Sequence, residues 1–480
     1  MREVVVPLRG LRRVLVPGVY HELGPRAEAL EVAGDAPSHP LVMTWSADGF
    51  LALGAGRDCS FRIGSGAVTV RGADPQVEIL RGRSPAHVLR TFYAACRDEP
   101  AAPWVSLEEA VRLAVHGVLD WHHRPATRTI AETVGFGPHG HPGGREAMHV
   151  AWLSGIPVAA AILPDAPDAA AVIDHCSEAI APCGAFWGQW VPNEGWRHGW
   201  NRPGLLHSRT AAEATLFLGR IQARRRSWQA AVRSNLDWAE KALAADGTIP
   251  RLFDAKGGEG VEWDGTAGLL WAAAFAEAGR LTAARRIGAR YADAVLSGDL
   301  RCSPEDVPAG ATSEDAYNAV IAYVALFEAT GEPDWLDLAR AAADWTMAWR
   351  FPDNLPFPGG SALSTCGYRT RGADIASPAN PHLHTYGLLA LPEMLRLARL
   401  AGDDYLLKRT RDNLLCSMQT LARVDRELGA RRGMQTERYY HTDALGPKGG
   451  ILPLSHAWCL GLLAYACRAA MRYREELDLG

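Results

Sequence analysis

The stretch Thr312-Ser313-Glu314-Asp315-Ala316-Tyr317-Asn318 runs straight into Ala319-Val320-Ile321-Ala322-Tyr323-Val324-Ala325-Leu326-Phe327. A helix that is apolar on nearly every side has to be buried on every side. Thr312 or Ser313 stands where a hydroxyl can cap free N–H groups, and the helix dipole stabilises acids in the first turn. Glu314 and Asp315 therefore have a structural reading as first-turn residues. Neighbours on a helix point about 100° apart, so at most one of the two faces the centre. The spacing favours Asp315 inward, with Glu314 as a first-turn or binding residue.

The same device recurs along the chain: a loop rich in charged, aromatic or imidazole residues, then an apolar helix. Copies begin near Arg145, Asp264, His382 and Ser455, with a weaker one at Arg209. Amphipathic segments begin near residues 106, 227, 281, 333 and 403; in one of them Trp335, Leu338, Ala339, Ala342, Trp345 and Trp349 keep helical spacing. A further segment near Asp168 brings the series to about twelve helices, and Pro392 is expected to kink the one starting near His382. Alternation of half-exposed and buried helices, at a repeat of roughly fifty to seventy residues, predicts two concentric rings, an (α/α)6 barrel. A linear α-solenoid is the competing architecture. The long loops 351–381 and 424–453 weigh against it, because loops of that length in a compact domain usually carry function.

Residues 1–95 read differently. Glu3–Val6, Val14–Val16, Leu41–Trp45, Phe50–Leu53 and Ala67–Arg71 are short β-rich runs separated by Pro17-Gly18, Ala47-Asp48-Gly49 and Gly64-Ser65-Gly66. They predict a small N-terminal β domain, a partial β-sandwich, followed by a linker helix from Pro85 to about Cys96. The expected organisation is thus mainly α: a β-rich unit over 1–95 and a barrel over 96–480.

At 480 residues, 48% hydrophobic and 22% charged, the chain has ample material for a core. A net charge of −4 without a long basic run gives no reason to expect nucleic acid. The nine cysteines are scattered, with no CxxC pair, and read as reduced thiols; neither a metal nor another cofactor is expected. No apolar run has the length of a membrane span and no signal peptide stands at the start, so a cytoplasmic protein is expected; its oligomeric state is not legible.

Two segments resemble a known superfamily. Thr330-Gly331-Glu332-Pro333-Asp334-Trp335-Leu336-Asp337-Leu338-Ala339-Arg340 and Ala401-Gly402-Asp403-Asp404-Tyr405-Leu406 are similar to the small turn and aromatic-initiated outer helix of the six-hairpin glycosidases. The likeness covers about residues 100–475. It implies an (α/α)6 toroid whose active site lies at the loops preceding the inner helices.

On that plan the inner-helix entrances form one funnel. Glycoside cleavage needs a proton donor and a second carboxylate, and the candidates are Asp264, Asp315, Glu437, Glu262 and Glu314, with Asp374 in addition. Trp263 can raise the pKa of Asp264 by excluding water, although Asp264 equally suits a helix cap. Glu437 stands next to Arg438, which offers it a salt bridge. Trp196, Trp200 and Tyr439 suit stacking on sugar rings. Arg369 and Arg371 are placed to grip a carboxylate, unless they pair with Asp374. His382 and His384 are too few for a metal site but suit acid–base work, and Arg209, His441 and His456 complete the substrate-binding set. Hydrolysis of a glycosidic bond is the first expectation. Epimerisation or β-elimination of a sugar or uronate by His382, His384, Tyr439 and the arginines is the second, and a non-catalytic carbohydrate-binding toroid the third.

Overall fold

A computed structural model of the chain describes residues 2–22, 29–81, 84–137, 139–200 and 202–479. The N-terminal part holds β1 (Arg2–Pro7), β2 (Arg13–Val16), β3 (Tyr20–Glu22), β4 (Leu30–Ala33), β5 (Leu41–Ser46), β6 (Gly49–Gly54), β7 (Ser60–Ile63), β8 (Ala67–Gly72) and β9 (Glu78–Arg81). They form two antiparallel sheets, in the orders β1-β8-β7-β4 and β3-β2-β5-β6-β9. In β5 and β6, Ser46 pairs with Gly49 across the turn Ala47-Asp48 that the sequence marks. Successive side chains on a strand point to opposite faces. Val14, Val16, Val42, Leu51 and Leu53 accordingly meet Phe61, Val68 and Val70 of the other sheet. Leu15, Leu41, Met43 and Ala52 turn the opposite way, towards Val88 and Leu89 of α1 (Pro85–Ala95) and the helical core. The second sheet is therefore covered on both faces.

The remaining helices alternate as the sequence predicts. The buried set comprises α3 (Ile156–Ile162), α5 (Ser208–Gly219), α7 (Trp271–Glu277), α9 (Ser313–Thr330), α12 (Leu391–Ala401) and α14 (Ala457–Ala470). The half-exposed set is α2 (Leu107–Gly117), α4 (Ala169–Ser177), α6 (Arg226–Ala242), α8 (Leu281–Ser297), α10 (Pro333–Met347) and α13 (Asp404–Met418); a single turn, α11 (Ala362–Thr365), sits in the long loop after α10. Among the described residues the buried helices pack in the cyclic order α3, α5, α7, α9, α12, α14 and back to α3. Every residue of α5 from Ser208 to Leu218 is buried, as is almost all of α9. A large apolar side chain taken fully out of water contributes about 1.5–3 kcal/mol, so this inner ring dominates the stability of the barrel.

Three helix boundaries differ from expectation. The segments expected from Arg145 and Asp264 become helical only at Ile156 and Trp271, leaving longer entrance loops. Pro392 does not kink its helix: it occupies the first turn of α12, where a missing N–H costs nothing, after a 3-10 turn over Tyr386–Ala390. Among the described residues no helix is long and apolar enough to cross a membrane.

Candidate active site

Five of the six entrance loops converge on a cavity of about 330 Å³ at one end of the ring. The loop before α3 contributes His141, Arg145 and His149, and the loop before α5 contributes Trp200. Arg209, Thr210 and Glu213 line the cavity from the first turns of α5. Glu305, Asp306 and Glu314 come from the chain entering α9, His382, His384 and Tyr386 from that entering α12, and Glu437, Arg438 and His456 from that entering α14. Pro138 and Asn201 of these loops lie outside the described residues.

Short strand pairs hold the imidazoles. Leu454–His456 pairs with Thr133–Gly135, joining the last entrance to the first. Leu383–His384 pairs with Asp374–Ile375, and Leu383 also exchanges backbone hydrogen bonds with Tyr439. Residues two apart on a strand share a face, so His382 and His384 both turn towards the cavity, ring centres 6.2 Å apart. Beneath them Asp374 accepts from Arg350 Nε at 2.8 Å and Nη2 at 2.9 Å, from Tyr317 Oη at 2.8 Å and from Asn413 Nδ2 at 3.2 Å. All of these groups are buried.

Hydrogen bonds fix the ring tautomers. Ser313 Oγ gives its one proton to the Ala376 carbonyl, so His384 Nε2 donates to that hydroxyl at 3.0 Å. The Glu437 N–H donates to His456 Nδ1 at 3.2 Å, which leaves the proton on Nε2. His382 Nδ1 is buried without a partner among the described residues. Burial pushes all three imidazoles down, His384 to about 4, His456 to about 3 and His382 well below its usual value. At neutral pH they are uncharged.

His149 is committed elsewhere. Its Nε2 donates to Glu305 Oε1 at 3.4 Å and its Nδ1 accepts from the Ala151 N–H at 3.3 Å. Burial opposes a charge on this ring, but the bond to Glu305 and the charge of that group outweigh it and raise the pKa. Burial would likewise raise Glu305, yet His149, His207 and Thr210 hold its carboxylate below the usual range. Thr210 Oγ1 donates to it at 2.5 Å and the Trp200 N–H at 3.0 Å, so Glu305 ties three entrance loops together.

The structure sorts the residues proposed from sequence. Glu314, Glu437, Arg209, Trp200, His382, His384 and His456 line the cavity. Asp315 does not; the order expected for the acidic pair is reversed. Its carboxylate closes a capping box with Thr312 and also accepts from the Ser303 N–H at 2.9 Å and Thr266 Oγ1 at 3.2 Å, so Asp315 locks the start of α9 and Glu314 faces the cavity. Asp264 is exposed on the outside, bonded to Arg251 Nε at 3.0 Å, and Glu262 pairs with Arg251 and Arg202. Trp263 is exposed beside them and Trp196 packs on His175; neither lines the cavity. The Tyr439 side chain is buried behind the His382 strand, its hydroxyl bonded to the Thr436 carbonyl at 2.5 Å. His441 Nε2 contacts the Ala36 carbonyl at 3.0 Å, between the β layers and the barrel. On the outer wall Arg369 donates to the Glu99 and Pro100 carbonyls, and Arg371 donates to Asp412 at 2.9 Å and Tyr93 Oη at 2.7 Å. The partner expected for both, Asp374, is taken by Arg350.

His149, Glu305 and Tyr386 escaped the sequence reading. His149 and Tyr386 fall where a helix was expected to be under way, and Glu305 sits in an unpatterned loop. Among the described residues no group of three or more His, Cys, Asp or Glu side chains is arranged to hold a metal ion.

Neither a protein-family model nor a curated protein matches this chain. Solved structures do. It is similar to a D-mannose isomerase (TM-score 0.53, 11% identity, 76% of this chain and 97% of that one). It is similar also to cellobiose 2-epimerase from Spirochaeta thermophila (TM-score 0.51, 13% identity, 78% and 98%) and to a sugar epimerase from a ruminal bacterium (TM-score 0.51, 11% identity, 76% and 98%). At that identity the likeness speaks for the fold alone, and the fold is the (α/α)6 toroid.

Proposed function

We propose that the chain is a carbohydrate-active enzyme, with residues 96–480 as its catalytic unit, that moves a proton at the carbon next to the carbonyl of an open-chain reducing sugar. The outcome is 2-epimerisation or aldose–ketose isomerisation. One observation carries this reading: three imidazoles kept uncharged in one cavity, one of them, His382, with Nδ1 unpartnered. An uncharged imidazole keeps a free lone pair on one ring nitrogen and can accept a proton from carbon. His382 is the base in this reading, and the imidazolium it becomes is the donor that returns a proton to carbon, with the His456 Nε2–H available as a hydrogen-bond donor to the sugar. Trp200, partly exposed at the mouth beneath Arg145, offers a face for the sugar ring. The three structures named above are described as sugar isomerases or epimerases, which supports the same chemistry here.

Hydrolysis is the second reading, and Glu314 favours it. Burial pushes its carboxyl up to about 7 against the pull of Arg209, as a proton donor to a leaving oxygen requires, with Asp306 close enough to interact electrostatically and Glu437 close in turn to Asp306.

One experiment separates them. The protein is incubated in D2O with D-mannose, D-glucose, cellobiose and a mannan oligosaccharide, and proton NMR follows the C2 hydrogen and the anomeric signals. Loss of the C2 signal that His382→Asn abolishes is the expected result. New reducing ends without C2 exchange, dependent on Glu314, would replace this reading with hydrolysis.

A further inference from the structure

Arg209 is clamped between two carboxylates. Glu213, one turn further along α5, accepts from Nε at 2.8 Å and forms an ion pair with Nη2 at 2.7 Å. Glu314 Oε2 accepts from Nη1, and Nη2 also donates to Tyr386 Oη at 3.2 Å. That bond leaves the Tyr386 hydroxyl proton free to point into the cavity. Glu314 Oε1 has no hydrogen-bond partner among the described residues, although Glu314 lines the cavity. The site thus presents one fixed cation, one free phenolic proton and one unengaged carboxyl oxygen, linked through Arg209, in the cavity that His382 also lines and with the Tyr386 ring centre 6.1 Å from that of His384.

Abstraction of a proton from carbon leaves an electron pair that must end on the neighbouring carbonyl oxygen, and that oxygen needs a donor waiting for it. We propose that Glu314 is that donor: it protonates the carbonyl oxygen of the open-chain sugar as His382 takes the hydrogen from the adjacent carbon, while Arg209 and Tyr386 hold the oxygen in place. The inference rests on the sugar-isomerising reading above.

The step balances without an outside reagent. The C–H bond breaks towards the imidazole, its electrons form the carbon–carbon double bond, and the carbonyl π pair becomes an O–H bond with the proton of Glu314. The products are a neutral enediol, an imidazolium and a carboxylate, the last facing Arg209. The His382 imidazolium then returns its proton to carbon while the Glu314 carboxylate takes a hydroxyl proton from the enediol, so that a carbonyl re-forms and both groups are restored. Arg209 suits the role because it stays charged throughout: burial alone would lower it, but Glu213 and Glu314 hold it well above its usual value. A single guanidinium does not neutralise two adjoining carboxylates at once. Glu213 holds the Nε–H, and Glu314 keeps a proton up to about pH 7.

The test compares wild type, Glu314→Gln and Glu314→Asp for deuterium exchange at C2 of D-mannose, D-glucose and cellobiose across pH 5.5–9. Glutamine keeps the shape and a hydrogen-bond donor but has no proton to transfer. We expect kcat to fall by about 100-fold or more with KM within about threefold, in line with loss of general acid catalysis. The wild-type rate should decline above about pH 7, that limb should vanish in Glu314→Gln, and Glu314→Asp should recover part of the rate. A merely structural ion pair to Arg209 would instead lower the unfolding midpoint and raise KM while leaving the pH limb in place. Wild-type exchange that survives Glu314→Gln unchanged overturns the inference and leaves the isomerase reading standing. No wild-type exchange on any of the three sugars overturns both.

Discussion

Replacing Asp374 by asparagine tests how the imidazole strand is held. Asp374 accepts four hydrogen bonds, two from Arg350, one from Tyr317 and one from Asn413, and both ends of the Arg350–Asp374 pair are out of water. Asparagine keeps the volume and one acceptor oxygen but removes the charge, leaving the Arg350 guanidinium buried with neutral acceptors only, that oxygen and the Arg409 carbonyl at 3.3 Å. Removing one partner of a buried pair costs about 3–5 kcal/mol, because the other charge stays uncompensated. The expected loss for Asp374→Asn is in that range, read as a lower urea midpoint at constant m-value. The same ion pair backs the strand that presents His382 and His384, so C2 exchange should also fall, by roughly 10–100-fold for a displacement near 1 Å. Arg350→Met combined with Asp374→Leu removes both charges together. It should be less destabilised than the sum of the two single changes, since coupled groups are not additive. A single Asp374→Asn variant that loses under about 1 kcal/mol would refute this account of the buried pair.

Glu305→Gln should lower the unfolding midpoint, and the gap from wild type should depend on pH. The Glu305 carboxylate is held below its usual range, so its contribution is present above the unfolded value near 4.5 and is lost as pH falls through the folded one; the midpoint difference should shrink in acid, and a constant difference between pH 3 and pH 7 would count against the assignment. Gly199→Ala would place a methyl group 2.3 Å from Glu305 Oε2, which three donors pin in place, so KM should rise several-fold through the shifted Trp200 with little change in midpoint; an unchanged KM would show that Glu305 yields freely. Asp264→Asn should leave turnover within about twofold, because the side chain is exposed outside the cavity and surface changes are usually small; a large loss would return the entrance of α7 to the active site.

The fold was readable because it is written in burial. The apolar segments at 313 and 455 and the amphipathic ones at 227, 281 and 333 became the inner and outer rings, since a helix wet on one side needs a different composition from one wet on none. Side-chain direction was less legible. Whether Glu314 or Asp315 faces the cavity turns on a rotation of about 100°, and the capping box that decides it requires knowing that Thr312, not Ser313, is the cap. The entrance of α7 was misplaced because the chain bends after Asp264. Gly265, at φ +74°, packs against Cys302, Gly268 fits beneath Tyr291, and the helix waits until Trp271. Arg369 and Arg371 went to the outer wall because the loop after α10 returns to α13 and the linker after α1. The tie between His149 and Glu305 joins two loops far apart in sequence, and no periodicity announces such a pair.

The pairing of Thr133–Gly135 with Leu454–His456, together with the packing of α14 on α2 and α3, has a consequence for how the molecule is made. The wall that carries His456 exists only once α14 has docked against helices synthesised long before it. Until then the ring is an open arc, its apolar flanks at α3 and α12 are exposed, and the cavity lacks one of its walls. His456 therefore joins His382 and His384 only when the ring closes, and catalytic competence reports ring closure rather than the folding of any one hairpin.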